Sequence, residues 1–76
     1  MKKYMVNDFD GVTSDNSYYF NTMKDAKSFA KESSGKDSNK KVWSVYEIEA
    51  DSEEDIADGC FEELGVFAEY QNGEKL

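Results

Sequence analysis

Residues 41–49, Lys-Val-Trp-Ser-Val-Tyr-Glu-Ile-Glu, carry the clearest strand pattern in the chain. β-branched and aromatic residues dominate this segment, and successive side chains of a strand point to opposite faces. Val42, Tyr46 and Ile48 fall on one face, which we expect to pack on the core. The other face is only partly apolar, so we interpret Trp43 on it as a surface anchor.

Two shorter strands are expected before this segment. Residues 2–7 form the first, and residues 17–20, Ser-Tyr-Tyr-Phe, form the second, antiparallel to it. The turn-forming residues 8–16 between them predict a loop that bends at Gly11.

A first helix is predicted over residues 23–33. Thr22, with Asp25 three residues later, resembles a capping box. One apolar stripe recurs at helical spacing. It consists of Met23, Ala26, Phe29 and Ala30. Gly35 is the expected C-terminal cap, and the polar residues 33–41 are expected to form an exposed loop.

A second helix is predicted over residues 51–64, with Asp51 or Ser52 as its N-cap. Its apolar stripe holds Ile56, Ala57, Cys60, Phe61 and Leu64. Gly59 inside this span weakens the pattern. Residues 65–70 then predict a last strand, and Asn72-Gly73 favours a tight turn beyond it.

The predicted fold class is α+β. The order β-β-α-β-α-β indicates a small, single-layer, mostly antiparallel sheet of three or four strands with two helices packed on one face. The 76 residues are expected to form one domain, residues 1–76. Apolar residues make up 38% of the chain, so we expect a thin core that depends on its aromatic residues. No apolar run is long enough for a membrane span, and we expect a cytoplasmic protein.

The composition excludes several kinds of chemistry. The chain has no His, no Arg and no Pro, so a His-based triad and a zinc finger are impossible. The single cysteine, Cys60, has no His to activate it and is expected in the core. EF-hand loops starting at Asp8 or Asp51 fail, because Thr13 and Ile56 replace the required glycine. We therefore predict no enzyme, no metal site and no cofactor.

Charge is distributed very unevenly along the chain, whose net charge is −8. Residues 1–46 hold eight lysines and six acids, a net of +2, whereas residues 47–76 hold eleven acids and one lysine, a net of −10. This asymmetry favours attraction to basic protein surfaces and disfavours direct contact with nucleic acid or anionic membranes. The lysines of the first helix, together with sheet aromatics, could otherwise bind RNA, but the net charge opposes it.

The acidic half places five carboxylates on one face of the predicted second helix. They are Asp51, Glu54, Asp55, Asp58 and Glu62. On a continuous helix they would span roughly 16 Å and could imitate the repeating phosphates of a nucleic acid. Glu47 and Glu49 flank this row, and Trp43 would add an apolar anchor. The alternative interpretation is a solvated helix face, although such faces usually mix charge signs.

The opening strand Tyr4-Met5-Val6, the helix over residues 23–30, the strand over 42–48 and the closing segment 67–75 also support a family-level comparison. Together they resemble small acidic bacteriophage host-takeover proteins, including anti-CRISPR inhibitors. The resemblance lies in the pattern of elements, and it implies inhibition by occlusion of a nucleic-acid-handling complex.

Two functional hypotheses follow. The first is a non-enzymatic inhibitor whose acidic residues dock on a basic groove of a nucleic-acid-binding protein. The second is a structural or assembly module, such as a homodimer, whose acidity serves only solubility. Its interface would be apolar and centred on Trp43, Val45 and the aromatics of the second strand.

Overall fold

A computed structural model describes the backbone of residues 1–9 and 14–76 and the side chains of residues 1–9 and 16–76. The described elements are β1 (Lys2–Phe9), β2 (Ser14–Phe20), α1 (Met23–Lys36), β3 (Val42–Glu49), α2 (Glu53–Ala57), β4 (Glu62–Gln71) and β5 (Glu74–Lys75). The strands form one antiparallel sheet in the order β2-β1-β3-β4-β5. The predicted α+β class is confirmed.

The larger core lies between α1 and one face of the sheet. Ala26 and Ala30 of α1 pack with Val6 of β1 and Val45 of β3, and all four side chains are fully buried. Val6 and Val45 are also directly opposite each other in the β1–β3 ladder. Small residues on the helix let its backbone approach the β-branched side chains of the central strands. This packing holds α1 against β3.

Trp43 belongs to this core, so its interpretation as a surface anchor is wrong. Its side chain is only 8% exposed, and its ring lies 6.0 Å from that of Phe29 and 6.1 Å from that of Tyr18. The indole Nε1 donates a hydrogen bond to Oδ2 of Asp37 at 3.0 Å. A buried tryptophan needs such an acceptor, and the residues after α1 supply it. An apolar interface centred on Trp43 and Val45 is excluded by the same packing.

A smaller core lies on the opposite face of the sheet. Met5 and Ile48 pack there with Ala50 and with Ile56 of α2. Met5 directly precedes Val6 in β1, and neighbouring strand residues point to opposite faces. The two helices therefore contact opposite faces of the sheet rather than one. Ile56, the one buried residue of α2, packs against Met5 and Ile48 on the face away from α1.

Helix α1 begins as predicted but ends later. Oγ1 of Thr22 accepts a hydrogen bond from the Asp25 amide at 3.2 Å, which confirms the N-cap. The helix continues to Lys36 and contains Gly35, which is therefore not its cap. Buried Ser34 explains the extension, because its Oγ accepts a hydrogen bond from the Gly73 amide at 3.0 Å. This contact ties the last turn of α1 to the β4–β5 turn.

Helix α2 is much shorter than predicted. It spans only Glu53–Ala57, and Gly59 adopts a positive φ of 78°. The Gly59 amide donates to the carbonyl of Ile56 at 3.1 Å, and the Cys60 amide donates to that of Asp55 at 2.7 Å. These two bonds form a Schellman motif, which ends a helix. The residues that follow pair with β3 as part of β4.

The strand boundaries also differ from the predicted ones. Strand β1 extends to Phe9 and β2 begins at Ser14, so most of the predicted loop 8–16 is strand, whereas Gly11 lies outside the described residues. The turn at Asn72-Gly73 is confirmed, with φ values of 57° and 80°. Positive φ at both central residues is the mark of a type I′ hairpin turn. The tail beyond it adds β5.

Candidate protein-binding surface

The structure places the predicted acidic residues around the end of the sheet where β3, α2 and β4 meet. Asp51 precedes the N-cap Ser52, and Asp58 is the C-cap of α2. Glu54 and Asp55 lie within the first turn of α2. Their acidity suits the positive end of the helix dipole, and the Ser52 hydroxyl caps the Asp55 amide at 3.2 Å.

The fifth residue of the predicted row lies on a different element. Glu62 is the first residue of β4, so the single acidic helix face does not exist. The helical spacing of apolar residues misled the prediction. The Schellman motif at Gly59 ends the helix before Cys60, Phe61 and Leu64. In the β3–β4 ladder Glu62 is instead directly opposite Glu49. Like charges in this position oppose pairing and concentrate negative potential at this end of the sheet.

The two acidic residues of β3 differ from the rest because they have cationic partners. The amino group of Met1 lies 3.0 Å from Oε1 of Glu49. Nζ of Lys2 lies 3.4 Å from Oε1 of Glu47. Glu47 is opposite Tyr4 in the β1–β3 ladder, on the sheet face that packs against α1, and its side chain is mostly buried. The structure therefore does not bring Glu47 together with the other predicted site residues.

Most of the remaining acids at this end are uncompensated. Five of the acids around α2 and the start of β4 have no lysine Nζ within ion-pair distance among the residues that the structure describes. These acids, called the acidic end below, are Asp51, Glu54, Asp55, Asp58 and Glu62. Glu53 is the neighbouring exception, because Lys3 lies 2.8 Å from it and the resulting hydrogen bond lowers the pKa of Glu53. The acidic end is thus a concentrated negative surface.

An exposed apolar strip on β4 lies beside the acidic end. Leu64, Val66 and Phe67 are 45%, 51% and 50% exposed, and we call them the β4 strip. Val66 is opposite Tyr46, on the face away from α1, and the ladder has a bulge on either side of this pair. Sequence reasoning missed the strip. The sequence does contain a signal for it in the apolar run Val66-Phe67-Ala68. Because successive strand residues cannot all face one core, at least one residue of this run must be exposed.

Cys60 is exposed, so its predicted place in the core is wrong. It follows the end of α2 instead of continuing an apolar helix stripe. Within the described part of the chain, no group of three His, Cys, Asp or Glu residues is placed to hold a metal ion. Asp8, Asp10 and Asp15 also carry carboxylate oxygens of the kind that bind Ca²⁺ or Mg²⁺. Asp10 and the side chain of Asp15 lie outside the described residues, and Asp8 is engaged elsewhere.

Asp8 is nearly fully buried and belongs to an ion pair with Lys41. Its Oδ2 lies 2.9 Å from Nζ of Lys41, and its Oδ1 accepts a hydrogen bond from the Asn16 amide at 2.7 Å. Burial raises the pKa of Asp8, but these hydrogen bonds and the Lys41 charge outweigh it, so the pKa is lowered overall. The group is a charged structural element that fixes the end of β1 beside Trp43.

The lysines of α1 lie away from the β4 strip. Lys24 and Lys31 are exposed on the helix that covers the other face of the sheet. Tyr18 and Phe20 on that face pack against Phe29 of α1, at ring distances of 4.8 and 5.0 Å. These aromatic rings are therefore occupied by the core and do not present the open stacking platform that RNA-binding sheets use.

Comparison with known proteins does not add a family to this description. No protein-family model, curated protein or solved structure matches the chain. No helix among residues 1–9 and 14–76 is long and apolar enough to cross a membrane.

Proposed function

We propose that the chain is a non-enzymatic inhibitor that binds a basic surface of a nucleic-acid-handling protein complex and excludes its nucleic acid. The observation that carries this proposal is the acidic end, where carboxylates gather without lysine partners. A CRISPR or other defence complex is the kind of target that the resemblance to phage proteins suggests. The proposed setting is the cytoplasm of the host cell.

The acidic end would act by electrostatic attraction. Carboxylates without internal partners are available to a lysine- or arginine-lined groove, and such complementarity accelerates association at low salt. Because α2 is only about 7 Å long at a 1.5 Å rise per residue, the acids form a patch rather than a straight row. The proposed imitation of nucleic acid is therefore of charge density and not of a regular phosphate spacing. Direct binding of nucleic acid is disfavoured by the net charge of −8.

The test is affinity capture from a host lysate at low salt with wild type and a charge-reversed variant. Asp55→Lys with Asp58→Lys replaces two negative charges of the acidic end by two positive ones. The matched control, Glu32→Lys with Glu74→Lys, makes the same charge change at exposed positions on α1 and β5. We expect wild type and the control to retain a nucleic-acid-binding protein that added DNA or RNA displaces. Equal retention by the charge-reversed variant, or no displacement, would contradict the proposal.

A second candidate function is a homodimeric assembly module, and the β4 strip is the observation that favours it. Half-exposed leucine, valine and phenylalanine side chains grouped together commonly mark protein contacts. Size-exclusion chromatography with light scattering at low and high salt would identify it. A dimer that persists at both salt concentrations favours the module over the inhibitor.

A further inference from the structure

Val66 of the β4 strip lies on the face of the sheet that α2 covers only in part. Leu64 and Phe67 are the extra residues of the two bulges, which the ladder with β3 leaves unpaired. Ile56 of α2 covers Met5 and Ile48 at one end of this face. Phe61 contacts the same core and the ring of Tyr19, at 6.0 Å. No described helix covers the face beyond them, where Val66 lies opposite the partly exposed Tyr46. An apolar surface of this kind is available for docking.

The outer edge of β4 is also open beside the strip. Strand β5 pairs only with Tyr70 and Gln71, and the Leu76 amide donates to the Glu69 carbonyl at 2.9 Å. Over residues 62–68 no described strand pairs with this edge. The two bulges in β4 interrupt the regular spacing of backbone groups, which disfavours the addition of a further strand. Side chains on the face, rather than a continued ladder, are therefore the docking feature.

Carboxylates flank the strip at both ends on the same face. Glu63 is opposite Ile48, which faces away from α1, and Glu69 accepts a hydrogen bond from the Ser44 hydroxyl at 3.3 Å. Both are exposed, and no described lysine lies within ion-pair distance of either. At about 3.3 Å per residue, the six steps between them span roughly 20 Å. The surface has an apolar centre with negative ends.

We propose that the β4 strip docks an apolar segment of the protein partner that carries lysine or arginine at both ends. The cations would meet Glu63 and Glu69, and the apolar residues would cover Leu64, Val66 and Phe67. A second copy of this chain fits less well, because two-fold pairing of the strips would bring these carboxylates together. This inference rests on the proposed function, since it specifies the chemistry of the basic partner.

The experiment titrates the isotopically labelled chain with a synthetic peptide that has an apolar centre and lysines at both ends. We expect amide chemical shifts to move over residues 62–69 and to stay unchanged in α1. The variant Leu64→Thr, Val66→Thr, Phe67→Thr should bind at least tenfold more weakly. Threonine keeps a high strand propensity, and these side chains are already half-exposed, so the fold should persist. Equal binding by this variant, or shifts centred on α1, would overturn the proposal.

Two further measurements test the role of the carboxylates and the alternative of a second copy of the chain. A peptide with glutamates in place of the lysines should produce no shifts, and the variant Glu63→Lys, Glu69→Lys should bind the lysine peptide at least tenfold more weakly without losing any apolar residue. Binding of the acidic peptide with equal strength would overturn the charge argument. A wild-type dimer that the threonine variant lacks would assign the strip to a second copy and also overturn the proposal.

The outcome is distinguishable from that of the proposed function. A captured partner that is lost on Asp55→Lys with Asp58→Lys, but retained by the threonine variant, would uphold inhibition by the acidic end and reject docking at the strip. Peptide binding at the strip, together with a captured partner that nucleic acid never displaces, would do the reverse.

Discussion

Replacing Asp8 by alanine should destabilise the fold more than any substitution of an exposed acid. Asp8 is 1% exposed and is held by Lys41 Nζ at 2.9 Å and by the Asn16 amide at 2.7 Å. Removing one member of a buried ion pair costs about 3–5 kcal/mol, because the other charge stays buried. The Lys41 side chain is 14% exposed and can partly reach water, so we expect a loss of about 3 kcal/mol.

Urea unfolding followed by tryptophan fluorescence measures this loss, since Trp43 is the single tryptophan and lies in the core. Far-UV circular dichroism provides a second probe that does not depend on the indole. The control is Asp51→Ala, which removes an exposed aspartate and should change the unfolding free energy by less than about 0.5 kcal/mol. A loss below about 1 kcal/mol for Asp8→Ala would refute the assignment of Asp8 as a buried ion-pair partner.

The pH dependence tests the same group independently. Burial raises the pKa of Asp8, but Lys41 and the amide hydrogen bonds outweigh it, so the pKa lies below 3.8. A carboxyl with a lowered pKa in the folded state stabilises the fold above its unfolded pKa, and this stability is lost as pH falls through the folded value. The difference in unfolding free energy between wild type and Asp8→Asn should therefore be full at pH 7 and shrink below pH 3.8. A difference that stays constant or widens in acid would contradict this account.

Further predictions concern the turn contacts, the helix start and the thiol. Gly35→Ala should stabilise the fold by up to about 1 kcal/mol, because its Cβ would lie an ordinary 3.5 Å from Gly73 Cα within a helix. Gly73→Ala should destabilise it by about 1–2 kcal/mol, because the turn needs a φ of 80°. A urea midpoint that falls for Gly35→Ala, or one that rises for Gly73→Ala, would contradict the corresponding prediction. Thr22→Ala should lose about 1 kcal/mol with the N-cap, which thermal unfolding would detect, and an unchanged midpoint would refute the cap. Cys60 should react with a maleimide in the folded state as fast as a thiol in urea, and strong protection would contradict its exposure.

Local signals in the sequence predicted much of the fold. The strand pattern around Trp43, the capping residue Thr22 and the Asn72-Gly73 turn all correspond to observed elements. Each of these signals depends on neighbouring residues, so a single sequence contains them. The structure alters their extent where contacts distant in sequence intervene, as when Ser34 bonds to the Gly73 amide and lengthens α1.

The candidate site was harder to predict because three physical effects competed over residues 53–64. The apolar spacing favoured a long amphipathic helix, whereas Gly59 favoured a helix end and pairing with β3 favoured a strand. The latter effects prevail in the structure, which exposes Cys60 and moves Glu62 onto β4. Which face of β3 would be covered also depended on the position of α1, which no local pattern contains. Trp43 was misplaced for that reason.

Hydrogen–deuterium exchange of the chain, free and bound to a partner captured at low salt, tests the central claim most directly. Our account predicts that binding slows exchange over residues 51–58 and 62–69, which include the acidic end and the β4 strip, and leaves α1 unchanged. Slowed exchange confined to α1, with no change in α2 or β4, would show that the partner binds the lysine-bearing side and would contradict the account.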